Sequence, residues 1–272
     1  MFTGVKILSS GIRNNQKIRT IPAWNKGPSS DDIFTHLKAL TVESNQTHTI
    51  TTFGSVAGAN KYIGGVLAPN GFIYGIPFSA TTVLKINPNN DTATTFGSLA
   101  ADAFKWQGGV LAPNGFIYGI PRITTTILKI DPNNDTATTF GSATGYIGGV
   151  LAPNGFIYGI PLSATTILKI DPSNDTATTF GSVAGADKWI GGVVAPNGFI
   201  YGIPYIATAI LKIDPSNDTV STFGSATGYA GGVLAPNGSI YGMPFSATTV
   251  LKILSPQAIN PNLALSRLFN KY

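Results

Sequence analysis

Short apolar runs separated by turn residues follow one another along this chain, and the phrase GGVLAPNGFIYGIP sets their pattern. It occupies residues 64–77 and returns, with small changes, at residues 108–121, 148–161, 191–204 and 231–244. The leading glycines are spaced by 44, 40, 43 and 40 residues. A period of about 40–45 residues without a helical repeat inside it is typical of the blades of a β-propeller.

Each repeat predicts four short strands. In the first repeat they cover residues 64–68, 72–77, 82–86 and 92–96, which are rich in Ile, Val, Tyr and Thr. Asn-Gly between the first two strands predicts a tight type I′ hairpin. A turn of the form NPNND or DPxND joins the last two strands. The double glycine predicts that the first strands converge on the axis of the ring, where side chains would not fit.

The fifth repeat lacks its last strand, and the missing sequence stands at the other end of the chain. After residues 251–253 the expected DPxNDTATTFGS is absent, whereas residues 47–55, THTITTFGS, match it. We therefore predict that residues 49–54 supply the fourth strand of the last blade and leave no open edge. The predicted fold is all-β: a five-bladed β-propeller over residues 49–254, with four antiparallel strands per blade and closed by this N-terminal strand.

The repeats resemble a known family. In blade number, in the similarity of the repeats and in the small residues of the inner strands, residues 49–253 are similar to five-bladed propeller lectins of the tachylectin-2 kind. The resemblance implies the fold and suggests sugar binding as a function. The blades here are shorter, and no sugar-binding motif carries over residue by residue.

The repeat region is poor in residues that carry chemistry. Its nine Lys and Arg balance nine Asp, the chain has no Cys, and His36, His48 and Glu43 all precede the repeats. Most of the aspartates belong to turns, so no metal site is predicted, and no cofactor motif is present. Asp102 and Asp187, in longer loops, are the acids that a hydrolase would use. The sequence predicts a protein that is not an enzyme, with the hydrolase as a third hypothesis.

The loops that lead into the first strands vary between repeats and carry the candidate ligand-binding residues. An aromatic residue stands two positions before each double glycine: Tyr62, Trp106, Tyr146, Trp189 and Tyr229. A lysine precedes three of these residues, and an arginine lies in a loop on the same face: Lys61, Lys105, Lys188 and Arg122. One interpretation is that the aromatic rings wedge between blades. The other is that they stack on sugars or another flat ligand, with the cations at its polar edge, in repeated shallow sites that favour multivalent binding.

The excess positive charge lies outside the repeats. Residues 1–30 contain no acid and five cations: Lys6, Arg13, Lys17, Arg19 and Lys26. This basic arm, residues 1–48, is interpreted as an organelle-targeting leader, as a disordered leader, or as a segment that binds a protein partner or nucleic acid. A short helix is predicted near residues 29–40, and residues 255–272 are predicted to form a helical tail. No apolar run reaches the length of a transmembrane helix.

The first functional hypothesis is therefore a non-enzymatic interaction or scaffold propeller, a structural component of a larger assembly that is held through its basic tails. The alternative is a multivalent carbohydrate-binding lectin that uses the aromatic loop face.

Overall fold

The computed structural model describes residues 49–254, and the predicted arm, its helix near residues 29–40 and the predicted C-terminal tail lie outside them. The described residues form nineteen strands in five antiparallel sheets, which are the five blades of a β-propeller. Four sheets have four strands, and the fifth has three. None of these residues belongs to a helix, so none forms an apolar helix able to cross a bilayer.

Each blade follows the chain from its first strand to its last. The first strands are β1 (Tyr62–Leu67), β5 (Trp106–Leu111), β9 (Tyr146–Leu151), β13 (Trp189–Val194) and β17 (Tyr229–Leu234). The second strands are β2 (Ile73–Pro77), β6 (Ile117–Pro121), β10 (Ile157–Pro161), β14 (Ile200–Pro204) and β18 (Ser239–Pro244). The third strands are β3 (Val83–Asn87), β7 (Ile127–Asp131), β11 (Ile167–Asp171), β15 (Ile210–Asp214) and β19 (Leu251–Leu254). The fourth strands are β4 (Thr92–Phe96), β8 (Thr136–Phe140), β12 (Thr176–Phe180) and β16 (Thr219–Phe223).

The hairpin between the first two strands differs from the predicted type I′ turn. Only Gly71 has a positive φ, of 83°, whereas Asn70 does not. The N–H of Gly71 donates to the carbonyl of Ala68 (3.0 Å), and Asn70 Oδ1 accepts from the N–H of Phe72 (3.1 Å). Pro69 presets the first turn position, so the loop is a three-residue turn that ends in a left-handed glycine. The type I′ prediction was wrong because it ignored this proline.

The two glycines of each first strand have different roles. The first, such as Gly108, has a φ of 85° and lies where the register between β5 and β6 shifts by one residue. This is a β-bulge, and its backbone conformation favours glycine. The second glycine, such as Gly109, lies too close to the preceding blade for a side chain: a Cβ at this position would lie 2.5 Å from Ile76 Cδ1. Both glycines are structural, as the sequence predicts.

The hydrophobic core lies between the blades. The cluster between blades 1 and 2 contains Tyr74 and Ile76 from the first blade and Trp106 and Leu128 from the second, all fully buried or nearly so. Equivalent clusters fill the junctions between blades 2 and 3, 3 and 4, and 4 and 5. Since burial of one such aliphatic side chain contributes about 2 kcal/mol, these four junctions hold the blades together.

The structure does not show the closing strand predicted at residues 49–54. These residues are assigned to no strand, and the fifth sheet ends at β19 with three strands. The ring is also open between blades 5 and 1: a Cβ on Gly108 would lie 3.1 Å from Gly148 Cα, but one on Gly231 would meet nothing within 4 Å. The sequence match of residues 47–55 to the missing segment contains no information on the angle between blades, so it could not predict whether the ring closes.

Candidate functional site

The aromatic residues of the predicted ligand face lie inside the blade junctions. Trp106, Tyr146, Trp189 and Tyr229 are 1–6% exposed, and Tyr62 is half-buried. The indole nitrogen of Trp106 donates to the carbonyl of Thr126 (2.7 Å), and that of Trp189 to the carbonyl of Ala209 (2.9 Å). A ring that is buried on both faces has no surface left for a stacked sugar. In the structure these rings pack between blades, which is the other interpretation that the sequence allows.

The three loop lysines also turn inward. Lys105 is fully buried, and its Nζ donates to the backbone carbonyls of Ala80 (2.9 Å) and Asp102 (2.8 Å). Lys188 is buried and donates to the carbonyl of Gly185, while Lys61 is half-buried and donates to that of Val56. Burial lowers the pKa of Lys105 and of Lys188 from the usual value. These ammonium groups hold the loops together and do not point toward solvent.

Arg122, the remaining candidate ligand residue, packs against aromatic rings of the loops. It is half-buried, its guanidinium carbon lies 5.3 Å from the centre of the Phe78 ring and 5.7 Å from that of Phe104, and Nη1 donates to Gln107 Oε1 (3.0 Å). The cation therefore rests on two aromatic rings of the junction between blades 1 and 2.

A polar network joins neighbouring blades at the face that carries the Asn-Gly and DPxND turns. The third-strand lysines bond to the turn aspartate of the next blade: Lys85 to Asp135 (2.6 Å) and Lys169 to Asp218 (2.5 Å). Asn70 also donates across the junction, to the carbonyl of Pro132 (2.7 Å). The repeated LKI and DPxND motifs contain the two partners of each pair, but only the structure shows that the aspartate comes from the neighbouring blade.

Tyrosine hydroxyls belong to the same network. Tyr118 OH donates to Asp175 Oδ1 (2.7 Å), and Tyr158 OH donates to Asp218 Oδ1 (3.0 Å). Burial, together with the nearby carboxylate, raises the pKa of Tyr158 to about 12. In blade 5 the equivalent Tyr241 lacks such an aspartate among the described residues, and the hydrogen bond from Asn237 lowers its pKa. The lysine–aspartate pairs thus join blades 1 to 2, 2 to 3 and 3 to 4, whereas Lys212 of blade 4 and Lys252 of blade 5 form no ion pair with another described residue.

The network makes a direct prediction for Asp175. Its carboxylate accepts from Tyr118 and from Lys129 and its backbone φ is 56°, whereas Asp91 has a similar φ of 53° and no ion pair among the described residues. We expect Asp175→Ala to lower the free energy of unfolding by about 2 kcal/mol more than Asp91→Ala, because hydrogen bonds to charged groups are lost only in the first variant. Urea unfolding of both variants measures the difference. Equal losses would show that the left-handed backbone alone carries the effect.

Two open pockets lie on the loop face, at equivalent positions of different blades. One, of about 420 Å³, is lined by hydroxyl side chains that include Ser142, Thr144, Ser163 and Thr165. The other, of about 330 Å³, is lined among others by Ser55, Ser79, Thr81 and Thr95. Small-molecule sites are usually enclosed and mostly apolar, with few polar groups. These pockets are shallow and polar, so they suit at most weak contacts with a polyhydroxylated ligand.

The two loop acids lie at the surface. Asp102 and Asp187 are exposed and lie in different loops, between blades 1 and 2 and between blades 3 and 4. The backbone carbonyl of Asp187, rather than its carboxylate, accepts a hydrogen bond from Ile206 (3.1 Å). Over residues 49–254, no group of three or more His, Cys, Asp and Glu side chains is placed to hold a metal ion.

Comparison with known proteins identifies the fold. No family model matches the sequence, and no curated protein matches it. By structure, the chain is similar to a catalytically inactive virginiamycin B lyase from Staphylococcus aureus determined with quinupristin, with a TM-score of 0.65 and 14% identity over 79% of this chain and 73% of that one. A protein of unknown function from Desulfotomaculum acetoxidans has a TM-score of 0.57 and 13% identity over 74% and 68% of the two chains.

A third similar structure is an auxiliary nutrient-binding protein from Bacteroides ovatus, with a TM-score of 0.53 and 13% identity. The match covers 72% of this chain and 55% of that one. Identities this low show a shared β-propeller fold and no shared activity. The finer resemblance to tachylectin-2 stays a prediction.

Proposed function

We propose that this protein is a non-enzymatic interaction propeller, a structural component of a larger assembly. The observation that carries the proposal is the contrast between engaged polar groups and exposed apolar ones. Candidate chemical groups such as Lys105 and Asp175 are bonded within the ring. Val233, Met243 and Phe245 of the last blade are instead 44–66% exposed. Clustered exposed apolar side chains mark surfaces that contact other macromolecules.

The similar lyase does not decide between a catalytic and a non-catalytic role. At 14% identity it shares the fold with this chain, and its activity does not carry over. Function therefore depends on the side chains that this ring presents.

The charge distribution supports anchoring through the tails. The ring is neutral, whereas Lys6, Arg13, Lys17, Arg19 and Lys26 form an acid-free arm. Cations on such an arm attract an acidic partner, and the attraction weakens with salt because the Debye length is about 10 Å at 0.1 M. An acidic protein surface is the proposed partner, and the phosphates of a nucleic acid are the alternative.

Carbohydrate binding remains the second candidate, and one observation favours it. The two hydroxyl-lined pockets recur at equivalent positions, as sites of a multivalent lectin would. Against it stands the burial of Trp106 and Trp189, the rings that would stack on a sugar.

A tagged full chain returned to its source cells tests the proposal. We expect it to be recovered in a complex that dissociates at high salt and is lost when the five arm cations are replaced with serine. A control that exchanges each Lys for Arg and each Arg for Lys keeps the charge and should keep the complex. Glycan-array binding by the full chain, abolished by Arg122→Ala and unaffected by the serine substitutions, would instead establish the lectin function and overturn the scaffold.

A further inference from the structure

Every junction between consecutive blades is built by the same interlock. The second glycine of one first strand lies under an isoleucine of the preceding blade, so that a Cβ at that glycine would lie 2.5–2.7 Å from the isoleucine Cδ1. A valine of the preceding blade closes the other side, 2.9–3.2 Å away. The four pairs are Ile76 with Gly109, Ile120 with Gly149, Ile160 with Gly192 and Ile203 with Gly232. Each blade therefore presents a glycine hole on one face and an aliphatic knob on the other.

The two end blades each leave half of this interlock unused. In blade 1, a Cβ on Gly65 would meet only its own sheet, Ile73 Cγ2 at 3.5 Å and the Tyr74 carbonyl at 3.8 Å, so the hole is empty. In blade 5, Met243 and Val233 occupy the knob positions and are 44% and 59% exposed, whereas the isoleucines at the Met243 position are fully buried in blades 1–4. The exposed knob and the empty hole are complementary in shape.

The polar groups of the end blades are complementary too. Lys252 and Tyr241 occupy the positions from which Lys85 and Tyr74 bond to Asp135 of the next blade. Lys252 is exposed and forms no ion pair with another described residue, and Asp91, at the Asp135 position of blade 1, forms none either. The blade 5 face thus offers a cation where the blade 1 face offers an anion.

The fourth strand that the fifth sheet lacks is also matched by a segment next to blade 1. Residues 51–54 repeat the TTFG that ends the other fourth strands. A Cβ on Gly54 would lie 2.7 Å from Ala93 Cβ, and the same close approach links Gly97 with Ala137 at 3.1 Å. Gly54 therefore lies where the end of a preceding blade's fourth strand would pack on blade 1, while on blade 5 no strand within residues 49–254 pairs with the outer edge of β19.

We propose that blade 5 of one copy docks on blade 1 of a second copy through the same junction that joins the blades within the chain. Residues 51–54 of the second copy then lie beside β19 and complete the fifth sheet. The second copy is favoured over closure within one chain because the structure leaves the two faces uncovered by each other: Met243 and Val233 of blade 5 are exposed, and a Cβ on Gly65 of blade 1 would meet only its own sheet. The inference rests on the proposed scaffold function and identifies one partner of the assembly.

Such an interface is heterologous, because the two contacting faces differ, and it leaves a free knob and a free hole on every dimer. Association therefore continues head to tail unless the rotation closes a ring. This property separates the proposal from a symmetric dimer, in which one patch contacts itself.

Two variants of the full chain test the proposal by analytical ultracentrifugation over a concentration series. Gly65→Val fills the hole and Met243→Glu places a charge on the knob. Since both positions are open within one chain, neither substitution should change the melting temperature measured at the lowest concentration. Each should raise the Kd of association at least about tenfold, since overpacking or an unpaired charge costs that much at a tight interface.

Mixing the two variants gives the decisive result. The intact knob of Gly65→Val can dock in the intact hole of Met243→Glu, and both remaining ends are blocked. We expect the mixture to form a dimer of twice the 28.3 kDa chain mass and nothing larger. A wild-type chain that stays monomeric at all concentrations, or variants that do not rescue each other, would overturn the proposal.

Failure of this inference is separable from failure of the scaffold function. A monomeric wild type whose salt-sensitive complex still depends on the arm cations would leave the scaffold proposal standing. An assembling wild type that binds no further partner would leave only the contact between copies.

Discussion

Gly149→Val is expected to lower the free energy of unfolding by about 3 kcal/mol, because overpacking a filled core costs that much. A Cβ at this position would lie 2.6 Å from Ile120 Cδ1, 2.9 Å from Ile120 Cγ1 and 3.0 Å from Val110 Cγ2. Movement of the isoleucine tip alone cannot make room, because the valine and the inner carbon of the isoleucine are also close. Thermal unfolding followed by circular dichroism should show a fall of about 6–12 °C.

Gly65→Val is the matched control for this prediction. It occupies the same place in blade 1, where the nearest atom to an added Cβ lies 3.5 Å away. At a concentration where the chain is monomeric, its melting temperature should stay within about 2 °C of the wild type, the usual range of surface substitutions. If the two variants were equally unstable, the glycines would be required by local strand geometry rather than by the junction.

The repeated phrase allowed the architecture to be predicted because each repeat forms one blade. Spacing, Gly-Gly and Asn-Gly together predict short strands, a close inner approach and hairpins, and the structure has them at nearly the predicted bounds. The first strand, predicted at residues 64–68, runs instead from Tyr62 to Leu67. The aromatic residue that begins it is thus part of the sheet, which a pattern based on the glycines did not include.

Contacts between blades could not be predicted in the same way. A repeat looks identical whether its lysine pairs with its own turn or with the next blade's turn, and only the three-dimensional stacking of sheets assigns Lys85 to Asp135. Ring closure could not be predicted for the same reason. It depends on the angle between neighbouring blades, and the sequence of one blade does not specify that angle.

The candidate ligand residues show a related limit. An aromatic residue before a glycine pair suits both a surface loop that binds sugars and a wedge in a junction. The burial of Trp106 and of Lys105 distinguishes the two, and burial depends on where the neighbouring blade lies. One feature of the sequence favours the wedge. An aromatic residue such as Trp106 or Tyr146 stands at this position in all five repeats, although the loops around it vary, as expected for a residue that packs in a repeated junction.

Trp106→Ala is expected to cost about 4 kcal/mol, since removal of a fully buried tryptophan leaves a large cavity. The side chain is 1% exposed, it contacts the core between blades 1 and 2, and its indole N–H donates to the carbonyl of Thr126. The loss removes apolar burial from the junction and leaves that carbonyl without its donor. Equilibrium unfolding in urea should show a lower midpoint.

Tyr62→Ala and Trp106→Phe test whether the stability lost in Trp106→Ala comes from packing in the junction. Tyr62 holds the same repeat position in blade 1 but is only half-buried, and its hydroxyl lies 3.4 Å from Thr82 Oγ1, so its removal should cost about 1 kcal/mol. Trp106→Phe keeps most of the apolar volume and loses the hydrogen bond, and should fall between the two. A Trp106→Ala chain of unchanged stability that has lost binding on a glycan array would show that the indole serves a ligand. If Trp106→Ala instead unfolds at a lower urea concentration, Trp106 stabilises the junction between blades 1 and 2. The residue that the sequence suggests as a ligand-binding residue then has a structural role.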